Sequence, residues 1–377
     1  MKKSVTNGRP VVAGRFLFIH RVAAGVRRLT LFFAACCALF TCGCRSVADE
    51  TKLSRFEFAE LHMGTSFQIT LYAADGATAT NAAKAAFKRV EELDRTLTDY
   101  TDDSELVRLF HLPAGLPHKI SADLFDVLER SQQVARLSDG AFDVTVGPLV
   151  QLWRRARRQR ELPKPEAIEA ARRVVGYEKL KLDPKARTAT LAAEGMRLDV
   201  GGIAKGYAAD HALAVLRRHG ITRAMVAASG DIAVGDPPPG RDGWNIGVAS
   251  IEAKGSELTR VVVLKNAGVS TSGDTQQFVV LDGRRYSHIV DPHTGMGLTT
   301  RIGVTIVARD ATTTDALATA VSVMGAERGM ALIEKLPDVA ALIVEIDAAG
   351  RKKLVESRRF SKLASTQTET PTKGNTP

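Results

Sequence analysis

The chain has 377 residues, of which 45% are hydrophobic and 25% charged, a balance ordinary for a soluble globular protein and sufficient for a large core. Its formal charge of +10 is unevenly placed: seven basic residues and no acid precede residue 45, which leaves a net of three positive charges on everything after it. The body therefore has no strong electrostatic reason to seek nucleic acid, and no such partner is expected.

The first 44 residues have the layout of an export signal. A basic region leads into LTLFFAACCALF (29–40), an apolar run too short to span a bilayer as a mature helix, and then into TCGC. All four cysteines (Cys36, Cys37, Cys42 and Cys44) lie inside this segment, so the exported body carries none for a disulfide or a thiolate metal site. Gly43-Cys44 resembles the end of a bacterial lipoprotein signal, where a small residue precedes the cysteine that is cleaved at and lipidated; Thr41 stands where that pattern has Leu. Acylation of Cys44 would hold the body on a bacterial membrane facing the periplasm without a spanning helix, and ordinary cleavage nearby is the alternative.

Residues 45–54 read as a polar linker, 55–360 as the folded body, and 361–377 as a polar tail too poor in apolar residues to pack, hence disordered. SFQITLYA (66–73) alternates apolar and polar residues and predicts a half-buried strand. Residues 82–97 and 122–137 place apolar side chains at helical spacing. A hairpin is expected over 179–193, a helix ending at Gly220, and a strand at RAMVAAS. WNIGVAS, RVVVLK, QQFVVLD and IGVTIVA follow as strands, then a helix opening on TTTDALATA, a second near 326–336, and a last strand ALIVEID. Runs of strands with helices between the groups predict an α+β architecture with mixed or antiparallel sheets and flanking helices, rather than a doubly wound sheet. The basic run RRARRQR (154–160) is read as a solvated helix face.

No glycine-rich nucleotide loop, G-x-S-x-G elbow or H-E-x-x-H occurs, which counts against the common nucleotide-binding and hydrolase classes. What remains is a series of glycine-punctuated polar clusters, and loops on a rigid scaffold are where binding sites concentrate. In LDVGGIAKGYAAD (198–210), Gly201 and Gly202 let the backbone approach a ligand and Lys205, in the first turn of a helix, makes an anion site, or the glycines form only a strand-to-helix turn and Lys205 is solvated. Asp199 either accepts hydrogen bonds from a heterocycle or ribose, or caps that helix. In GAFDVTVGPL (140–149), Phe142 and Asp143 form the rim of a pocket, or Phe142 is core. His288 in SHIVDPHTG is a candidate proton carrier or phosphate donor, with a structural role as the alternative. Asp315 and Thr319 lie four apart and share a helix face. They either cap and back-bond their own helix or supply oxygens to a hard cation such as Mg²⁺.

Taken together and in this order, D-x-x-G-I-A-K-G-Y-A-x-D, T-S-G-D, H-I-x-D-P-x-T-G and T-D-A-L-A-T-A resemble the ApbE family of FAD:protein FMN transferases from about Met63 to about Val344. The resemblance implies an ApbE-like, T-fold-like architecture and contacts to FAD from Met63, Tyr100, Ala141, Phe142, Asp143, Asp199, Lys205 and Ile289. It implies Mg²⁺ held by Asp315, Thr319 and the carbonyl of Gly202, where family members often have Ala. Further departures are Thr275-Gln276-Gln277-Phe278 after T-S-G-D, where an aromatic and an arginine are common, and Ser229-Gly230-Asp231 in place of G-G-D. The implied reaction moves the FMN phosphoryl of FAD to a Thr or Ser hydroxyl of an acceptor protein and releases AMP, with His288 serving the hydroxyl proton or the phosphates. The implied acceptor is a subunit of a membrane redox complex. The alternatives are Mg²⁺-dependent FAD hydrolysis and a non-catalytic FAD-binding lipoprotein.

Overall fold

Two residues of positive φ, Met63 (50°) and Gly64 (70°), turn the chain between β1 (Ser54–His62) and β2 (Thr65–Ala73), the tight hairpin turn whose twist matches that of its strands. This is a computed structural model that describes residues 52–248, 260–273, 277–347 and 350–365. Asp75 then caps α1 (Gly76–Leu97) by accepting from the Thr78 N–H. The buried stripe Ala79, Ala82, Ala83, Ala86, Phe87, Val90, Leu93 and Leu97 recurs with helical period; each large member contributes roughly 1.5–3 kcal/mol by leaving water.

The chain continues through α2 (Glu105–Phe110), β3 (His118–Lys119), α3 (Ala122–Leu137), α4 (Gly147–Gln159), α5 (Pro165–Val174), β4 (Leu180–Asp183) and β5 (Thr188–Leu191). Next come α6 (Ala204–Arg218), β6 (Ala224–Ala228), β7 (Asp231–Val234), β8 (Trp244–Val248), β9 (Arg260–Leu264), β10 (Ala267–Gly273), β11 (Phe278–Leu281) and β12 (Arg284–Ser287). The last elements are β13 (Arg301–Ala308), α7 (Ala311–Lys335), β14 (Ala340–Ile346), β15 (Lys352–Glu356) and β16 (Ala364–Ser365).

Among the described residues, an eight-stranded antiparallel sheet of order β1-β2-β6-β7-β10-β13-β14-β15 carries the fold. Alternation along β14 shows how it is covered. Ala341 and Ile343 join the core under α1, α6 and α7, while Ala340, Leu342, Val344 and Ile346 join a second cluster with Trp244, Ile246 and Val262 of the β8–β9–β16 sheet. With both faces buried, the strand reads as a continuous apolar run. A third cluster joins α4 and α5 to the β11–β12 hairpin through Leu149, Trp153, Leu281 and Tyr286.

The expected α+β class and antiparallel pairing are observed. The two helices expected near 312–336 are observed, joined end to end as one rod at a kink at Gly325 (φ 77°, ψ 171°), a conformation that suits glycine. The rod is long and apolar enough to cross a membrane, yet most of its apolar window is buried in this core. Ordered structure extends into the segment expected as a tail: Phe360–Lys362 forms a 3₁₀ turn with Phe360 buried, and β16 pairs with β9. At the other end β1 begins at Ser54, the last residue of the expected linker. The export signal, Cys44, linker residues 45–51 and tail residues 366–377 lie outside the described residues.

Candidate active site

Asp315 does not cap its own helix, and the Thr319 hydroxyl does not bond back to it. Asp310, not Asp315, caps α7, its side chain accepting from the Thr313 N–H at 2.8 Å. Two other hydroxyls of α7 bond back to the helix, Thr314 to Ala311 O and Ser322 to Ala318 O. The Thr319 hydroxyl makes no hydrogen bond among the described residues, so its oxygen is available to a ligand. Asp315 is 5% exposed, and the bonds it accepts, from Gly206 N (3.1 Å) and Lys205 Nζ (3.4 Å), both go to Oδ2.

Close packing of α6 on α7 brings these groups together. A Cβ on Gly206 would lie 2.1 Å from the Ala311 carbonyl oxygen, so only glycine allows the approach that delivers its N–H to Asp315. A Cβ on Gly202 would meet Thr319 Oγ1 at 2.9 Å, which sets the glycine turn directly against the hydroxyl. Behind this turn the N-terminus of α6 has no side-chain cap.

Lys205 binds two acids, Asp231 at 2.9 Å and Asp315 at 3.4 Å, and also donates to the Gly201 carbonyl at 3.2 Å. Burial alone would depress its ammonium, but the two carboxylates outweigh that and lift it above its ordinary value. Asp315 is pushed up to about 7 by burial and by the charge of Asp231, against the pull of Lys205 and the Gly206 N–H. Two carboxylates against one ammonium leave an excess negative charge in a dry site, which a hard cation would relieve. A carboxylate and an unbonded hydroxyl beside the backbone of the Gly202 turn are donors of the kind Mg²⁺ takes. No group of three or more His, Cys, Asp or Glu suited to a metal occurs among the described residues.

A second group gathers around Asp199. Its Oδ1 accepts from the Gly201 N–H at 2.8 Å, and its Oδ2 pairs with Arg154 Nη2 at 3.0 Å. Arg154 also reaches Asp99 at 2.5 Å, and its guanidinium carbon lies 4.6 Å from the ring centre of Tyr100. Burial and the charge of Asp99 hold Asp199 above the ordinary carboxylate range, opposed by Arg154. Tyr100 itself is 74% exposed and presents its ring outward. Met63, at the β1–β2 tip, donates its N–H to Asp94 on the last turns of α1, shortly before Tyr100 in the chain.

Ala141 and Phe142 are 3% exposed, and the Phe142 ring lies 3.3 Å from where a Gly202 Cβ would stand. Phe142 therefore belongs to the core and packs against the glycine turn, and its N–H donates to Ser138 Oγ. Asp143 accepts from the N–H and hydroxyl of Thr145, both at 2.7 Å, and burial raises its carboxyl. It faces a cavity of about 350 Å³ lined also by Gly140, Tyr177 and His293.

His288 stands at the end of β12. Its Nδ1 and its backbone N–H both point to the Gln277 carbonyl, at 3.1 and 2.9 Å. A carbonyl only accepts, so the ring nitrogen that meets it donates and a ring proton is assigned to Nδ1. This places His288 beside Gln277. Ile289 is buried and donates its N–H to Ser287 Oγ. The DPHTG turn closes as its sequence indicates: Asp291 accepts from the His293 N–H and the Thr294 hydroxyl. Trp153 of α4 donates to the Gly295 carbonyl at 2.8 Å and ties this turn down.

Three residues of the site escape sequence reasoning. Asp231 lies in a cluster recognised as polar, but nothing local pairs it with Lys205. Gly206 looks like any helical glycine. Arg154 is hidden in a basic run read as solvated, because its partners lie 55 and 45 residues away.

The profile of the ApbE family matches residues 63–343. A FAD:protein FMN transferase of Treponema pallidum is 32% identical over 318 residues, 80% of this chain and 88% of its own length. One of Vibrio cholerae is 31% identical over 315 residues, 82% and 92% of the two chains. The solved flavin transferase ApbE from Vibrio cholerae superposes with a TM-score of 0.74 at 29% identity over 82% of this chain and 99% of that one. The ApbE protein from Thermotoga maritima gives 0.74 at 30% identity over 83% and 100%. With the profile spanning most of the folded body and relatives above 30% identity over four fifths of the chain, this protein belongs to the ApbE family.

Proposed function

We propose that this enzyme transfers the FMN moiety of FAD to a Thr or Ser hydroxyl of an acceptor protein, forming a phosphoester and releasing AMP in a Mg²⁺-dependent reaction. The observation that carries the reading is the convergence of Asp315, Thr319 and Lys205 on the Gly201–Gly202 turn, a charge-neutralising site at an uncapped helix N-terminus. Tyr100, Asp199 and the backbone around Phe142 supply a neighbouring surface for the flavin and its ribityl or ribose oxygens.

The barrier in phosphoryl transfer is chiefly charge developing on phosphoryl oxygens, and the residues answer it. Lys205, fully protonated near neutrality beside two acids, contributes one fixed positive charge. Mg²⁺ held by Asp315, Thr319 and the Gly202 carbonyl supplies Lewis-acid neutralisation of the phosphates when bound. His288 takes the proton of the acceptor hydroxyl, whose oxygen bonds to the FMN-side phosphorus as the bond to the AMP oxygen breaks. The hydroxyl proton passes from His288 to solvent, and AMP leaves as the monoester.

Export and lipidation at Cys44 would place this chemistry at the periplasmic face of a bacterial membrane, where the expected acceptor is a subunit of a redox complex. Incubation of the exported body with FAD, Mg²⁺ and an acceptor protein should leave flavin fluorescence on the acceptor after denaturing electrophoresis. A colourless acceptor alongside protein-bound FAD would refute the transfer, and AMP released without acceptor measures hydrolysis by the same site.

A further inference from the structure

We propose that Arg154 is a positioning residue for flavin binding: its guanidinium fastens Asp99 and Asp199 and backs the ring of Tyr100, which leaves the outer face of that ring preorganised for a flat heterocycle. The inference rests on the reading that FAD binds at Tyr100 and Asp199.

Three separate stretches of chain meet at this one side chain. Asp99 and Tyr100 follow α1, Asp199 precedes α6, and Arg154 lies on α4. The side chains of Arg154, Asp99 and Asp199 are 20%, 15% and 12% exposed, so the pairings at 2.5 and 3.0 Å are largely shielded from water. Arg154 is itself held in place, since its neighbour Trp153 is buried, bonded to Gly295 O and packed 4.9 Å from Tyr286. A planar fork is what the geometry requires. One guanidinium nitrogen takes Asp99, another takes Asp199, and the flat face lies under Tyr100, three contacts that a lysine ammonium on a flexible stem does not reproduce together. Tyr100, on an exposed loop, would otherwise have to be ordered when the ligand binds, and prior ordering raises affinity without a new ligand contact. The second bond also fixes Asp199 Oδ2, leaving the remaining lone pairs of that carboxylate in a set direction.

The test measures FAD affinity by quenching of flavin fluorescence, together with KM for FAD, kcat and the thermal midpoint. Arg154→Met alone leaves two shielded carboxylates facing each other. The variant D99N/R154M keeps the local charge and separates binding from folding. It should bind FAD about tenfold more weakly, with KM raised to match, kcat at saturating FAD within about twofold of wild type and an unchanged thermal midpoint. Arg154→Lys should fail to restore affinity. Tyr100→Ala should weaken FAD at least as much. Wild-type affinity in D99N/R154M, or a fall in kcat and thermal midpoint with affinity retained, overturns the positioning role while the site reading stands. Unchanged affinity in Tyr100→Ala overturns the site reading and this inference with it.

Discussion

Replacing Asp315 by Asn should abolish turnover while making the metal-free protein more stable at pH 8. The isosteric amide keeps an acceptor oxygen for the Gly206 N–H and removes only the charge. Burial and Asp231 raise the Asp315 carboxyl from 3.8 to about 7. In the unfolded chain it ionises near 3.8 and in the folded chain near 7, so the folded state binds the extra proton between those values. This group therefore costs nothing below about pH 3.8, costs progressively more as pH rises through the window, and costs its full amount above about 7. At 1.36 kcal/mol per pKa unit the full cost is roughly 4 kcal/mol. That cost already includes the pull of Lys205, so the expected net gain at pH 8 is on the order of a few kcal/mol, a rise of several degrees in the midpoint. The assay is thermal unfolding in chelator at pH 5 and pH 8, with and without Mg²⁺, for both proteins. The gap in favour of D315N should open between the two pH values, Mg²⁺ should raise the wild-type midpoint alone, and turnover should fall at least 100-fold. A lower midpoint for D315N at pH 8, with Mg²⁺ stabilisation intact, would mean that Asp315 is a structural acceptor and not a metal ligand.

Thr319→Val removes a hydroxyl that bonds to nothing else among the described residues. Stability should stay within about 0.5 kcal/mol, while Mg²⁺ affinity measured by calorimetry falls about tenfold or more. Gly206→Ala places a methyl 2.1 Å from the Ala311 oxygen and forces α6 off α7. Chemical denaturation should report a loss of about 1–3 kcal/mol, and turnover should fall with it because the donor to Asp315 moves. His288→Asn should leave FAD affinity within about twofold and lower transfer to the acceptor by roughly 10²–10⁴ in single-turnover assays, a split that a purely structural histidine would not produce.

Much of the fold was legible because its signals are local. α3 runs over Ala122–Leu137, the span its apolar spacing predicts, and Ser121 caps it; β2 and β14 follow from alternation and from a continuous apolar run. Asp315 and Thr319 were legible as a pair through their spacing, but only the observed cap at Asp310 and the missing back-bond of Thr319 separate a ligand site from helix capping. Phe142 shows the limit of motif reading, since the sequence left it between a pocket rim and the core, and only the fold shows it buried against Gly202. Arg154 shows a second limit. A run of arginines on a helix is usually solvated, and what removes one of them from water is a pair of acids brought in by tertiary structure. The two-residue turn at Ser229 (φ 58°) likewise starts β7 at Asp231, and only the folded chain sets that carboxylate 2.9 Å from Lys205.

The central claim is that Asp315, Thr319 and Lys205 serve phosphoryl transfer from FAD to a protein hydroxyl. Its most direct test is intact-mass spectrometry of an acceptor protein after incubation with FAD, Mg²⁺ and either wild type or D315N. The account predicts that with wild type the acceptor gains the mass of one FMN less one water on a Thr or Ser, and that with D315N or chelator it gains nothing. An unmodified acceptor with wild type, or equal modification by D315N, would contradict it.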